Sequence, residues 1–253
     1  AVRVFQAIIT GPQGTRADLL ERMMPPWVQR AMGLDGPVTS LSAFLTLIWQ
    51  HPVLLAVVLA VPIGAAGSLL AGEVERRTLA LLLARPVGRL QILASAALVS
   101  ALWPALAAVA AWSGTWAGVR WTGATPPDWK SLVLVAVNLY LLALAAGGFA
   151  LAVSSFVKEK GDAVGWCVTV LLLMYVGHFL TQMYPQFAHL SESMVFHYYT
   201  PGRLLGLLPA RETAGTATGP VFLLAANARI LGGVGGAGLV TAIVVWARRN
   251  FCV

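Results

Sequence analysis

The chain has 253 residues, of which 58% are hydrophobic and only 11% charged, against about 25% charged in ordinary soluble domains. A mean hydropathy of +0.77 is more apolar surface than a soluble globule of this size can bury, and it excludes a disordered chain as well. The net charge is +7, and its basic residues cluster between apolar runs, which suits a membrane topology rather than a nucleic-acid face.

Residues 1–50 are mixed in character. Ala1–Thr10 (AVRVFQAIIT) has the look of the end of an apolar element. Within 17–32, Leu19, Leu20, Met23, Met24, Trp27 and Val28 recur at near-helical spacing, which predicts an interfacial amphipathic helix bent at Pro25–Pro26. Beyond them come uncharged stretches long enough for the about 20 residues that a membrane helix requires. They predict spans near 52–71, 91–117, 131–154, 163–183 and 230–247. Lipid satisfies no backbone group, and the Leu/Ala-rich runs show no strand alternation, so an all-α polytopic membrane bundle is expected.

The connections carry the charge. Gly72–Arg89 (GEVERRTLALLLARPVGR) opens with alternating acids and bases, continues as an apolar run and closes on Pro86 and Arg89. Physically this is a short amphipathic helix at the membrane surface, stopped by its proline. The 118–130 connection holds Arg120 and Lys130 with Trp121 and Trp129, near Trp112 and Trp116, an interfacial belt. Lys158 and Lys160 mark the 155–162 turn, and Arg248 and Arg249 mark the C-terminal end. In 184–229 the basic residues are spread thinly, and Pro201 and Pro209 break the segment, which reads as extracytoplasmic or re-entrant. Basic clusters stay inside, so 72–90, 155–162 and the C-terminus are assigned to the cytoplasm. That leaves 1–50 outside and predicts a first membrane helix upstream of Ala1.

Gly72–Arg89 resembles the signature that follows the second helix of ABC-2 type permeases, roughly G-E-x-E-x-G-T-L-x-L-L-L-x-x-P-x-x-R. Gly72, Glu73, Glu75, Thr78, Leu79, Leu81, Leu82, Leu83, Pro86 and Arg89 match, while Arg77 stands where the family usually has glycine. Ser154–Trp166 (SSFVKEKGDAVGW) is similar to the family's cytoplasmic turn opening the fifth helix, and Val245–Phe251 (VWARRNF) to its arginine-rich end. The resemblance implies a type V exporter-like permease with a cytoplasmic coupling helix over 72–90, set in the inner (plasma) membrane. It implies pairing with a second permease, as homo- or heterodimer, and with two cytoplasmic ATPases that bind ATP and Mg. The ATPase contacts would be Glu73, Glu75, Arg76, Arg77, Thr78 and Arg89. The chain has no G-x-x-x-x-G-K-[ST] phosphate loop, so nucleotide is not expected to bind here. Export of a hydrophobic or lipid-like substrate is the function implied, with neither catalytic residue nor cofactor on this chain.

Four other features are weighed beside that reading. Gly232 and Gly236 form a small-xxx-small pair, suited to a contact with a second permease or to packing within the chain. His178, His189 and His197, with Met174, Met183 and Met194, are copper-ligand types without ligand spacing, or the lining of a pliable apolar path, and no metal site is assigned. Ser113–Gly114 with His178 faintly resembles the pair of rhomboid intramembrane serine proteases, although Ala111 replaces the first glycine of their motif. A non-transporting membrane scaffold or immunity protein is the remaining alternative. Cys167 and Cys252 make neither a disulfide framework nor a zinc spacing.

Overall fold

A computed structural model of the chain describes residues 41–77, 88–122, 128–206 and 219–248. Every regular element within them is helical, and five helices are long and apolar enough to cross a membrane. The helix expected over 17–32 and residues 78–87 of the signature lie outside the described residues.

A short apolar helix, α1 (Leu41–Gln50), leads into α2 (Pro52–Glu75). The break falls on His51 because a residue before proline is pushed out of the helical region. Pro52 then opens α2 at a position where its missing N–H is harmless. The Val53 N–H donates to His51 Nδ1 at 3.3 Å, which caps the new helix. Close to its far end α2 widens into a π-helical turn, Gly67–Ala71, and the Gly72 N–H reaches back to the Gly67 carbonyl. Such a turn inserts one residue and rotates everything that follows it.

Helix α3 (Arg89–Thr122) begins where the Gly88 N–H donates to Gln91 Oε1 at 2.9 Å, half of a capping box. Helix α4 (Trp129–Phe156) starts beside Asp128, whose Oδ1 accepts the Lys130 N–H at 3.3 Å. Helix α5 (Lys160–Met183) is followed by two 3-10 segments, Pro185–Ser193 and Val195–Tyr198, and by the single turn α6 (Pro201–Leu204). Helix α7 (Pro220–Arg248) closes the described chain. Residues 220–229, read from the sequence as part of a long connection, are its first turns. Arg229 is exposed there, and an arginine whose stem can reach the interface does not end a membrane helix.

The chain divides into two compact units. Of the described residues, the first takes those within 41–55, 108–139 and 177–227. Its polar centre is Asn138, fully buried on α4. Asn138 Nδ2 donates to the Tyr198 carbonyl and its Oδ1 accepts the Thr200 N–H, both at 3.1 Å. Asn227 on α7 donates to Thr200 Oγ1 at 3.1 Å, and the buried Tyr199 hydroxyl donates to the Trp49 carbonyl at 2.8 Å. An irregular segment buried in a membrane protein must have its backbone groups met, and three elements supply partners to 198–200.

The second unit takes the described residues within 56–107, 140–176 and 228–248. Its core is the inner stripe of α4, including Leu142, Ala143, Ala146 and Ala150, with Leu231, Ala242 and Trp246 of α7. Helices α4 and α7 touch backbone to backbone. A Cβ on Gly148 would collide with the Gly235 carbonyl, and one on Gly238 with Gly148. Outward-facing Leu98, Leu102, Trp103, Leu172 and Val240 stay exposed on this unit, which suits lipid rather than water.

Candidate functional site

The charged end of α2 and the start of α5 meet in the second unit. Gly67 makes this approach possible. A Cβ there would lie 3.0 Å from Val164 Cγ2 and 3.8 Å from Lys160 Cγ, so a larger residue would push α5 away. The π-helical turn then re-aims Gly72–Glu75. Past Glu75 the helix stops: the Arg76 N–H bonds to the Gly72 carbonyl and the Arg77 N–H to Val74, each at 3.1 Å. Arg77 adopts φ 57°, and no other non-glycine residue among the described residues has positive φ. Helices commonly end on a residue of this left-handed conformation, usually glycine.

Glu75 Oε2 accepts the backbone N–H of Lys160, the first residue of α5, at 2.8 Å. The first N–H groups of a helix have no partner in the helix itself, and the helix dipole makes that end attractive to a carboxylate. Beside this bond lies an open cleft of about 620 Å³ lined by Gly72, Glu75 and Arg76 on one side and Lys160, Gly161 and Val164 on the other. Glu75, Arg76, Arg77, Lys158, Glu159 and Lys160 are all exposed. The cleft's lining combines the charged Glu75, Arg76 and Lys160 with glycine and valine.

Of the residues expected to form the coupling surface, Glu73, Glu75, Arg76 and Arg77 lie together on this turn. Thr78 lies outside the described residues, and Arg89 is described only as the first residue of α3. One expectation is corrected. Glu73 and Glu75 do not open a surface helix; they stand in the last turn of α2. A carboxylate at that end opposes the dipole of its own helix. Glu75 is compensated by the positive end of α5 instead. Sequence reasoning singled out Glu75 but missed its partner. Nothing local marks a pair 85 positions apart, although the 154–166 turn was noted for its own similarity.

The remaining expectations fare differently. A Cβ on Gly232 or Gly236 would meet nothing within 4 Å, so the packing of this chain uses Gly148, Gly235 and Gly238 and leaves that pair open. In the first unit the rings of His178 and His197 lie edge to face with centroids 6.2 Å apart, and His178 Nε2 is 2.7 Å from Gln182 Nε2. Burial holds the His197 imidazole below the usual histidine range; nearby Arg203 pushes the same way, and Glu192 opposes both. Met194 packs on Gly177, whereas His189 is exposed on the segment Pro185–Ser193. Among the described residues no three His, Cys, Asp or Glu side chains are grouped to hold a metal ion. Ser113 turns its hydroxyl back to the Ala110 carbonyl at 3.2 Å, which lends the serine–histidine reading no support.

Residues 27–250 match the family described as ABC-2 family transporter protein. A search of curated proteins returns no match. The family match spans most of the chain and includes the five helices that, among the described residues, are long and apolar enough to cross a membrane. The chain belongs to the ABC-2 transporter family, as a polytopic helical permease.

Proposed function

We propose that this ABC-2 permease is the membrane half of an ATP-driven exporter, coupled to its ATPases through the turn at Glu73, Glu75, Arg76 and Arg77. The observation that carries the reading is the joining of this turn to Lys160. Two connections that the charge pattern assigns to the cytoplasm come together there, beside an open cleft whose lining includes Glu75, Arg76 and Lys160. An ATPase element seated on that surface would meet charges of both signs, which fix orientation more than affinity. ATP and Mg belong to the partner ATPase in this scheme. Thr78 and Arg89 extend the same surface by family resemblance. The C-terminus is cytoplasmic, as Arg248 and Arg249 suggest. A second permease copy completes the pathway, and the open pair Gly232–Gly236 is the contact proposed for it.

The cargo proposed is hydrophobic or lipid-like, moving by alternating exposure of a cavity driven by ATP-dependent closure of the ATPases. The test reverses the charge pattern with Glu73→Lys, Glu75→Lys and Arg77→Glu in one chain. The variant is expected to insert in the membrane, yet to lose either co-purification of its ATPase or permease-stimulated ATP turnover. Lys158→Ala, on the neighbouring turn, is expected to be milder. Wild-type ATPase retention and turnover in the triple variant would overturn the reading.

A further inference from the structure

We infer that Glu75 is a positioning residue that makes the end of α2 and the start of α5 a single mechanical piece, so that a push on the ATPase-facing turn is delivered to α5. This rests on the coupled-transporter reading above and adds to it a specific path. A docking turn that ended freely would swing on its own when pushed. Here it cannot swing freely, for three reasons that converge within the second unit.

Arg77 halts α2 two residues after Glu75 by entering the left-handed region, so little slack lies between the charged turn and the carboxylate. The carboxylate holds a backbone N–H of α5 rather than a side chain. A main-chain donor has no rotamer through which the link could yield, and the bond is of the stronger, charge-assisted kind. Finally, α2 and α5 are already in contact about two turns earlier on α2, where Gly67 lets Val164 close in. The bond and the glycine contact are two points of attachment, and two points transmit rotation as well as translation. The Lys160 side chain is not required for the link; its N–H is.

That distinction sets the experiment. Lys160→Pro removes the N–H at the first helical position, where proline is well accommodated, and the preceding Glu159 is already outside the helix. Lys160→Ala keeps the N–H and removes the ammonium. Glu75→Leu removes the acceptor, while Glu75→Gln keeps an acceptor oxygen without the charge. Each is prepared in the full permease with its ATPases in phospholipid nanodiscs, with Cys167 and Cys252 replaced by alanine. Nitroxide pairs then report ATP-induced movement: Arg76→Cys with Leu98→Cys for the turn, and Trp166→Cys with Leu98→Cys for α5. All three labelled positions are exposed.

In the otherwise unchanged protein both pairs are expected to change distance on adding ATP. In Lys160→Pro and in Glu75→Leu the Arg76 pair should still respond, while the Trp166 response falls by half or more. Permease-stimulated ATP turnover should drop about tenfold in these two, and less in Glu75→Gln, as expected for one charge-assisted hydrogen bond. Lys160→Ala, which takes a charge from the proposed docking cleft, should lower ATPase retention at most and keep the Trp166 response in proportion to the Arg76 response. Combining Glu75→Leu with Lys160→Pro should be no worse than either alone. A residue that merely held the fold would lower ATPase retention and both responses together, and that result would overturn the inference. So would an undiminished Trp166 response in both variants. Failure of the unlabelled permease to retain its ATPases, or to stimulate their turnover, would instead overturn the transporter reading beneath it.

Discussion

Arg77 shows how a single residue can keep a turn while changing its chemistry. The family pattern places glycine here, and the backbone retains the left-handed conformation that glycine favours. A side chain in that region costs about 1–2 kcal/mol, and the gain is an exposed cation on the charged turn. Arg77→Gly is therefore expected to be more stable than Arg77→Ala by about 1 kcal/mol, since both lose the charge and only one relieves the backbone. Thermal unfolding in detergent measures the difference; equal midpoints would show that Arg77 is not strained. The sequence signature made this position visible, as it did Glu75. What it could not convey was that Glu75 answers the dipole of α5, because a long-range backbone acceptor leaves no periodic or compositional trace.

Helices were the most legible elements, and their ends the least. Uncharged length announces a span because lipid permits no alternative. Ends are set by local caps instead: His51 before Pro52, Gln91 reaching back to Gly88, Asp128 before α4. The same limit applies to packing faces. In the run from Gly232 to Gly238 the familiar four-residue spacing points to Gly232 and Gly236, while the face turned to α4 is Gly235 with Gly238. Glycine spacing cannot choose a face when five glycines occupy seven positions; the position of Gly148 on the opposing helix chooses it. Gly148→Ala must separate two backbones and is expected to cost about 1–3 kcal/mol or more. Gly232→Ala and Gly236→Ala have open space and should leave the unfolding midpoint of the chain within about 0.5 kcal/mol of wild type. A tolerated Gly148→Ala would mean that α4 and α7 do not meet closely.

At the scale of the whole molecule, the polar groups available to a cargo are scarce and mostly committed. Asn138 is spent on the backbone of Tyr198 and Thr200, and Asn227 on the Thr200 hydroxyl. Ser155 bonds the Leu151 carbonyl of its own helix. The described part of α2 has no charge before Glu73, and α3 none between Leu90 and Val119. A bare ion crossing such walls would leave its hydration for nothing in return, at a cost of several kcal/mol. An apolar or amphipathic molecule would lose little. Stimulation of ATP turnover in the nanodisc-held complex is therefore expected from lipophilic probes, such as a short-chain phospholipid or a hydrophobic dye, by about twofold or more, the equivalent of a few tenths of a kcal/mol of preferential binding to the active state. A small hydrophilic anion such as acetate should leave the rate unchanged. If acetate alone stimulates turnover while the lipophilic probes do nothing, the walls seen here do not line the path, and the cargo must be matched to polar groups elsewhere in the assembly.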